Sequence, residues 1–510
     1  MPRALTSSTL GLTAALLTLL SGCEARKSGT ETASASAATT TDTAAGTWEE
    51  GKGAIAITTG SEEARKLYLE GRTLSEQLRV HDGRQLFQQA AAKDPSFAMA
   101  HYQLAANSAT AKDFFDHLKR AVALSDKVSD GERLMILALE AGGNANPAKA
   151  LEYQRELVAK YPNDERAHFL LGNGYFGQQQ YEQAIEQYRK ATEINPRFSG
   201  AYNSIGYAYR PLEKYADAEV AFKKYIELIP NDPNPYDSYA ELLMKTGRFD
   251  ESIAQYRKAL EVDPHFTNSR VGIATDLMYQ GKHADGAKLM DELYRAARDD
   301  GDRRFALFAK GVILVDAGQT DAALKEIEKE YALDARLGDS ANMSGDAQLL
   351  GNILLDAGRT DAAARKFWRA LDLVEKSSLS GDVKQDTRLA DHFNVARVAL
   401  AKGDLAKAKS EAKAYQEGAQ ARRNSVRVRQ AHGLMGAIAL EEKRYDDAIA
   451  GLGQANQQDP QVVYWTALAW QGKGDAVKAK ELAASAAKAN VLPLATYAFV
   501  REKAWKMAER

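Results

Sequence analysis

Residues 165–196 read ERAHFLLGNGYFGQQQYEQAIEQYRKATEINP, residues 199–230 SGAYNSIGYAYRPLEKYADAEVAFKKYIELIP, and residues 233–264 PNPYDSYAELLMKTGRFDESIAQYRKALEVDP. Laid over one another, the three agree with a period of 34 residues. Counting the first residue of each as position 1, position 4 is His168, Tyr202 and Tyr236, and positions 7 and 8 are Leu171-Gly172, Ile205-Gly206 and Tyr239-Ala240. Position 11 is Tyr175, Tyr209 and Leu243; position 20 is Ala184, Ala218 and Ser252; position 24 is Tyr188, Phe222 and Tyr256. Position 27 is Ala191, Tyr225 and Ala259, and position 32 is always proline: Pro196, Pro230, Pro264. Positions 4, 7, 8 and 11 are spaced by threes and fours, one stripe of a helix, and positions 20, 24 and 27 form the stripe of a second. Small residues at 8 and 20 let the two helices approach closely. The proline closes each unit because it cannot continue a helix but can open the next.

This pattern resembles the tetratricopeptide repeat, and the same template extends in both directions. Earlier units start near 64, 98 and 131, with Pro95 and Pro162 at the closing position. In the second of these, Phe114 to Leu118 stand about three residues out of register. A unit from 267 keeps the period; beyond it, pairs of small residues twelve apart place starts at 304, 344, 389, 429 and 460. These longer units predict extended second helices and polar loops at Leu337–Ser344 and Lys376–Gln385, and a final helix is expected at about Leu494–Ala508. The resemblance implies an all-α chain, a right-handed superhelix of about twelve helix–turn–helix repeats with a C-terminal capping helix. The expected divisions are divergent repeats over 61–163, regular ones over 164–300, longer ones over 301–490 and the cap over 491–510.

The front of the chain is different. Leu10 to Leu20 is an apolar run too short to span a bilayer, ending in Leu20-Ser21-Gly22-Cys23. That ending resembles the lipobox of bacterial lipoproteins, which implies a signal peptide over 1–22 and Cys23, the only cysteine, as the lipidated residue. In that family, Glu24 rather than aspartate after the cysteine favours the outer membrane over the inner. Acylation by two or three chains anchors stably where one holds marginally. The Ser/Thr/Ala/Gly-rich stretch from 24 to about 60 is expected to be a disordered tether reaching roughly 30–37 Å.

Composition excludes several function classes. A net charge of −2 gives no footprint for nucleic acid, and a single cysteine permits neither an intrachain disulfide nor a thiolate zinc site. Gly172, Gly174 and Gly177 spell a dinucleotide fingerprint, but they fall inside a helix stripe and no strand precedes them. The histidines are His81, His101, His117, His168, His265, His283, His392 and His432. None makes a same-face pair four residues apart, and His101, His168, His392 and His432 all occupy position 4, a packing position. Asp299-Asp300-Gly301-Asp302 lacks the glutamate that completes a calcium loop and reads as a solvated turn. No catalytic constellation, cofactor or metal site is therefore expected.

In proteins of the family this chain resembles, first helices line a concave surface on which positions 2, 5, 9, 12 and 13 meet ligands. Carried over, these are Phe169, Asn173 and Phe176; Asn203, Tyr207 and Arg210; Asp237, Glu241 and Met244; Asn268, Thr275, Met278 and Tyr279; then Phe305, Phe308 and Val312. Aromatic rings interleaved with amides suit an extended peptide or a partner helix. Position 12 is apolar so regularly (Phe176, Met244, Met278, Val315, Leu355, Leu400, Leu440) that packing is the expected role there. The carboxylate clamp of chaperone-binding repeats is matched only by Asn173 in this region. The resemblances together imply a periplasm-facing, membrane-anchored scaffold for protein or peptide partners. Glycan or small-ligand capture, known in some repeat-containing outer-membrane lipoproteins, is the alternative. It is disfavoured by five tryptophans and short gaps between units.

Overall fold

The computed structural model describes residues 53–76, 79–108 and 110–509. Among them are 25 α-helices, two short 3-10 turns and no β-strand. The first 24 helices pair in chain order into twelve units. The first three units are α1 (Glu62–Glu76) with α2 (Val80–Lys93), α3 (Ala98–Ala106) with α4 (Ala111–Ala123), and α5 (Asp130–Gly143) with α6 (Pro147–Lys160). The next four are α7 (Glu165–Gly177) with α8 (Tyr181–Ile194), α9 (Ser199–Tyr209) with α10 (Tyr215–Leu228), α11 (Asn234–Lys245) with α12 (Phe249–Val262), and α13 (Thr267–Tyr279) with α14 (His283–Ala296). The last five are longer on average: α15 (Asp300–Asp316) with α16 (Thr320–Leu337), α17 (Ser340–Asp356) with α18 (Thr360–Glu375), α19 (Gly381–Ala401) with α20 (Leu405–Ala421), α21 (Ser425–Glu441) with α22 (Tyr445–Gly453), and α23 (Pro460–Lys473) with α24 (Ala476–Ala487). A single helix, α25 (Ala495–Glu509), follows.

Three contacts repeat from unit to unit. The turn between paired helices places position 15 in the left-handed region: Ala145, Gln179, Glu213, Gly247, Gly281, Gly318, Gly358, Gly403, Lys443 and Gly474 have φ between 56° and 95°. Glycine takes that conformation without the Cβ clash other residues meet, so six of the ten are glycine. The small residue at position 8 faces the ring or aliphatic chain at position 24 of its own unit. A Cβ on Gly172 would stand 2.4 Å from Tyr188, one on Gly206 2.6 Å from Phe222, and one on Gly351 2.5 Å from Phe367. Finally, the position-4 side chain returns to the carbonyl of the proline six residues before it. His168 reaches Pro162 at 3.0 Å, while Tyr202 donates to Pro196 at 3.3 Å, Tyr236 to Pro230 at 3.0 Å and Arg270 to Pro264 at 2.9 Å. Position 4 thus secures the junction between units as well as packing.

Several expectations need correction. Leu337–Ser344 is mostly helical and Lys376–Gln385 half so: α16 runs through Leu337 and α17 begins at Ser340, while α19 begins at Gly381. The extra length therefore lies in first helices as well as second ones, with Asp339 and Ser380 capping their N-termini. Asp299-Asp300-Gly301-Asp302 is a buried helix start, not a solvated turn. Asp299 accepts from the Asp302 N–H at 2.9 Å and Asp302 from the Thr267 hydroxyl at 2.7 Å. Residues 55–59, assigned on composition to the tether, are held against the repeats. Ile55 is buried and its N–H donates to Asp164 at 2.9 Å. Thr58 donates to Glu132 at 2.8 and 2.6 Å, and Thr59 to Asp94 at 2.6 Å. The expected signal peptide, Cys23 and the leader up to residue 52 lie outside the described residues.

The coil of repeats closes on itself. Lys112 in unit 2 donates its backbone N–H to Asp339 of unit 9 at 3.3 Å, and Ser380 of unit 10 bonds Asn144 of unit 3 at 2.6 Å. Arg429 of unit 11 donates to the Gln178 carbonyl of unit 4 at 2.9 Å, and Gln458, entering unit 12, to Pro211 of unit 5 at 3.0 Å. Lys245 of unit 6 donates to the Ala489 carbonyl beyond unit 12 at 2.6 Å. Units seven apart therefore lie side by side, as successive turns of one superhelix.

Candidate partner-binding surface

Helices α9, α11 and α13 place their inner faces next to one another, and the sequence-derived positions on them form one polar network. The Tyr207 hydroxyl donates to Glu241 Oε1 at 2.8 Å. Arg210 donates to Glu241 Oε2 at 2.9 Å, and its guanidinium lies 5.0 Å from the centre of the Tyr207 ring. One unit further, the Ser269 hydroxyl donates to Asp237 at 2.7 Å. Burial pushes the Tyr207 hydroxyl well above its ordinary pKa, helped by the Glu241 charge. Burial and then the same neighbour hold the Asp237 carboxyl well above the carboxylate range. Burial would lower Arg210, but Glu241 and Tyr207 raise it more. Glu241 thus accepts from both Tyr207 and Arg210, and Asp237 lies beside it with its proton affinity raised. Asn203 Oδ1 is buried with no hydrogen-bond partner among the described residues. Asn173, on α7, is exposed and accepts from the Tyr188 hydroxyl at 2.8 Å.

Other expected groove residues pack instead. Phe169 is wedged between Tyr188 and Phe198, with ring centres 5.6 and 5.0 Å away. Thr275 is fully buried and its hydroxyl returns to the Val271 carbonyl at 2.8 Å. Asn268 is half-buried at the start of α13. At position 12, Met244, Met278, Leu355 and Leu400 are buried, as a packing role requires.

From unit 7 onward, the chain covers its own inner surface. Helix α25 lies against α15, α17 and α23. Phe305 and Phe308 pack into the apolar cluster that also holds Tyr497, Phe499 and Val500 of α25. Arg501 grips Asp316, at the end of α15, through Nε at 2.7 Å and Nη2 at 2.5 Å, and lies 5.4 Å from the Tyr279 ring centre. Lys503 donates to Asp356, at the end of α17, at 2.6 Å. The Tyr279 hydroxyl donates to the Val491 carbonyl, so this expected groove residue binds the segment leading into α25. The final helix itself lies where the sequence places it, but its docking on Asp316 and Asp356 carries no signal in the repeat pattern, because the contact spans more than a hundred residues.

Among the described residues, no group of three or more His, Cys, Asp or Glu is placed to hold a metal ion. His101 and His117 do meet across helices, Nδ1 to Nδ1 at 3.3 Å, a pairing that same-helix spacing cannot reveal. Burial lowers both, and the Arg120 charge adds to it. No described helix is long and apolar enough to cross a membrane.

Family models agree with this architecture over its regular part. Models described as TPR repeat or tetratricopeptide repeat match residues 172–210, 199–232, 234–266 and 271–341. The chain is a tetratricopeptide repeat protein. It is similar to a thermophilic TPR protein of Thermus thermophilus (25% identity over 42% of this chain and 98% of that one, TM-score 0.28). It is also similar to YrrB, a TPR protein with an unusual peptide-binding site (19% identity over 36% and 94%, TM-score 0.24). A third is a tetratricopeptide repeat protein from Parabacteroides merdae (17% identity over 51% and 97%, TM-score 0.35). No curated protein matches the chain. As a TPR interaction scaffold it belongs to a family that is usually non-enzymatic.

Proposed function

We propose that this TPR protein is a membrane-anchored scaffold whose inner surface holds helical or extended segments of other proteins in a bacterial cell envelope. The observation that carries the reading is α25: the inner faces of α15, α17 and α23 already hold a helix of the chain itself, through apolar contacts rimmed by Arg501–Asp316 and Lys503–Asp356. A surface that accepts one helix in cis has the shape and chemistry to accept such segments in trans. The site offered to partners lies on units 4 to 6, where Asn173, Asn203, Tyr207, Arg210 and Glu241 present amide, ring and charge. Asn203 and Glu241 are buried, and Glu241 already accepts from Tyr207 and Arg210, so a partner meets the exposed Asn173 and the half-buried Tyr207 and Arg210 first. Anchoring rests on Cys23 within Leu20-Ser21-Gly22-Cys23, with acylation there holding the protein at the periplasmic face.

The test is photo-crosslinking in native envelopes from probes at Asn173 and Tyr207, against a probe at the outward, exposed Val220. Protein adducts confined to the first two positions support the reading. Equal labelling at all three, or none, refutes it. Separately, Cys23→Ser is expected to move the protein from the membrane to the soluble fraction, and retention at the membrane would refute the anchor alone.

A further inference from the structure

Arg397 stands at position 9 of unit 10, on the first helix of its pair, and is 1% exposed. Its guanidinium lies between two rings, 5.4 Å from the centre of Phe393 and 5.7 Å from that of Phe367. Only Nη1 is engaged, donating to Asn352 Oδ1 at 2.9 Å and Asn394 Oδ1 at 3.4 Å. Nε and Nη2 have no hydrogen-bond partner among the described residues. Burial alone acts on its proton affinity, pulling it down to about 9, so at neutral pH the group remains a cation. A buried cation without an anion is costly, and buried donors are rarely left unmade.

The two open donors are not an arbitrary pair. Nε–H and one Nη2–H point the same way and form the side-on edge of the guanidinium, matched to the two oxygens of a carboxylate. Elsewhere in this chain that edge is used in just that way. Arg388 gives it to Glu375 (2.7 and 2.8 Å) and Arg501 to Asp316 (2.7 and 2.5 Å), while Arg304 divides it between two carboxylates, Asp334 and Glu330 (2.9 and 3.2 Å). Arg304 is nearly as deeply buried as Arg397 and differs in having its carboxylates.

We propose that Arg397 is the receptor for a carboxylate brought by a ligand, taken side-on by Nε and Nη2 while Asn352 and Asn394 hold Nη1 and the two phenyl rings fix the plane. A singly charged, planar group fits this apolar setting better than phosphate, whose second charge would be desolvated without a second cation. Asn352 and Asn394 stand at the two asparagine positions of the carboxylate clamp of chaperone-binding repeats, position 9 of unit 9 and position 6 of unit 10, but the cation comes from a different place. The clamp's basic positions, counted from units 9 and 11, are Gln348, Gln430 and Leu434 here. Because the guanidinium is so little exposed, neighbouring side chains must part to admit the ligand.

Calorimetric titration of the full chain tests this with four probes: acetate, acetyl-trialanine with a free C-terminus, acetyl-Ala-Glu-Ala-amide and inorganic phosphate. At least one carboxylate is expected to bind. Arg397→Met and Arg397→Lys should each weaken it about tenfold or more, since lysine keeps the charge but not the fork. Preference for the free C-terminus, the glutamate or acetate identifies the source of the carboxylate. Arg397→Met is expected to unfold at the same temperature as the natural chain or higher, because it removes an unpaired buried charge. Should that variant not fold, Arg397→Lys carries the comparison. The proposal is overturned if no carboxylate binds at millimolar concentration, if phosphate binds more tightly than every carboxylate, or if the variant that folds binds as the natural chain does.

Discussion

Arg501→Ala is expected to loosen α25 while leaving the repeats folded. The side chain makes two charge-assisted hydrogen bonds to Asp316, at 2.7 and 2.5 Å, and covers the Tyr279 ring. Bonds of this kind contribute about 1.5–3 kcal/mol each. The pair is not dry, with 15% of the Arg501 side chain exposed, and Asp316 keeps His283 Nε2 at 2.8 Å after the substitution. Discounted for solvent screening and for that remaining partner, the loss comes to about 2–3 kcal/mol. The open population of α25 should therefore rise about 30- to 150-fold. Amide hydrogen exchange, followed peptide by peptide, reads this directly. Residues 495–509 should exchange faster by that factor, while α7 to α10 keep their protection. Unchanged exchange in α25 would falsify the argument that this ion pair seats the helix. Equal acceleration everywhere would show instead that the pair supports the whole solenoid.

Other substitutions test the remaining contacts. Gly206→Ala gains about 0.8–1 kcal/mol of helix propensity but places a Cβ 2.6 Å from Phe222, an overpacking that costs about 1–3 kcal/mol. A net loss near 1 kcal/mol in urea unfolding is expected, relieved by Phe222→Leu in the same chain; additive effects would rule out the clash. Gly142→Ala, with nothing within 4 Å of its Cβ, should stabilise instead, by about 0.5–1 kcal/mol. Asp276 is fully buried, and burial pushes its carboxyl up to about 8, with Ser252 pulling the other way. Its contribution to stability is then complete below about pH 4, where the unfolded chain also holds the proton, and is lost progressively as the pH rises to about 8. Asp276→Asn, which cannot titrate, should flatten the fall in urea midpoint between pH 5 and 8; an equal fall in both proteins refutes this. Thr58→Val removes the hydroxyl bond to Glu132 and should speed proteolysis ahead of α1 without moving the main unfolding transition.

The repeats were legible because their contacts are local. Each helix pair is specified within about 34 residues by small residues, rings and a proline, and starts inferred at 64, 98, 131, 165, 199, 233 and 267 fall within two residues of helix starts. In the stretched half, phasing by small residues put the start of unit 10 at 389, whereas α19 begins at 381. The left-handed position 15, at Gly318, Gly358, Gly403 and Gly474, gives the same starts, because both rulers mark the turn between helices, which keeps its geometry while a first helix lengthens at its N-terminus. The site was half legible. Tyr207, Arg210, Asp237 and Glu241 do lie together, because repetition puts equal positions on one face. Phe169 and Thr275 do not join them, since the same rule cannot tell a face from the seam beside it. Tyr279, Phe305 and Phe308 were assigned to a groove that the last helix covers, and nothing periodic encodes where the end of a chain comes to rest.

An open solenoid can gain or lose a module with little penalty, since each module answers only to its neighbours. Here Lys112 with Asp339, Asn144 with Ser380, Gln178 with Arg429 and Pro211 with Gln458 tie modules that are seven apart. Inserting or deleting one between them would slip every one of these ties at once, like a thread cut to the wrong pitch. The number of modules is thereby locked, and a lineage of this protein can vary the length of its helices far more freely than their count.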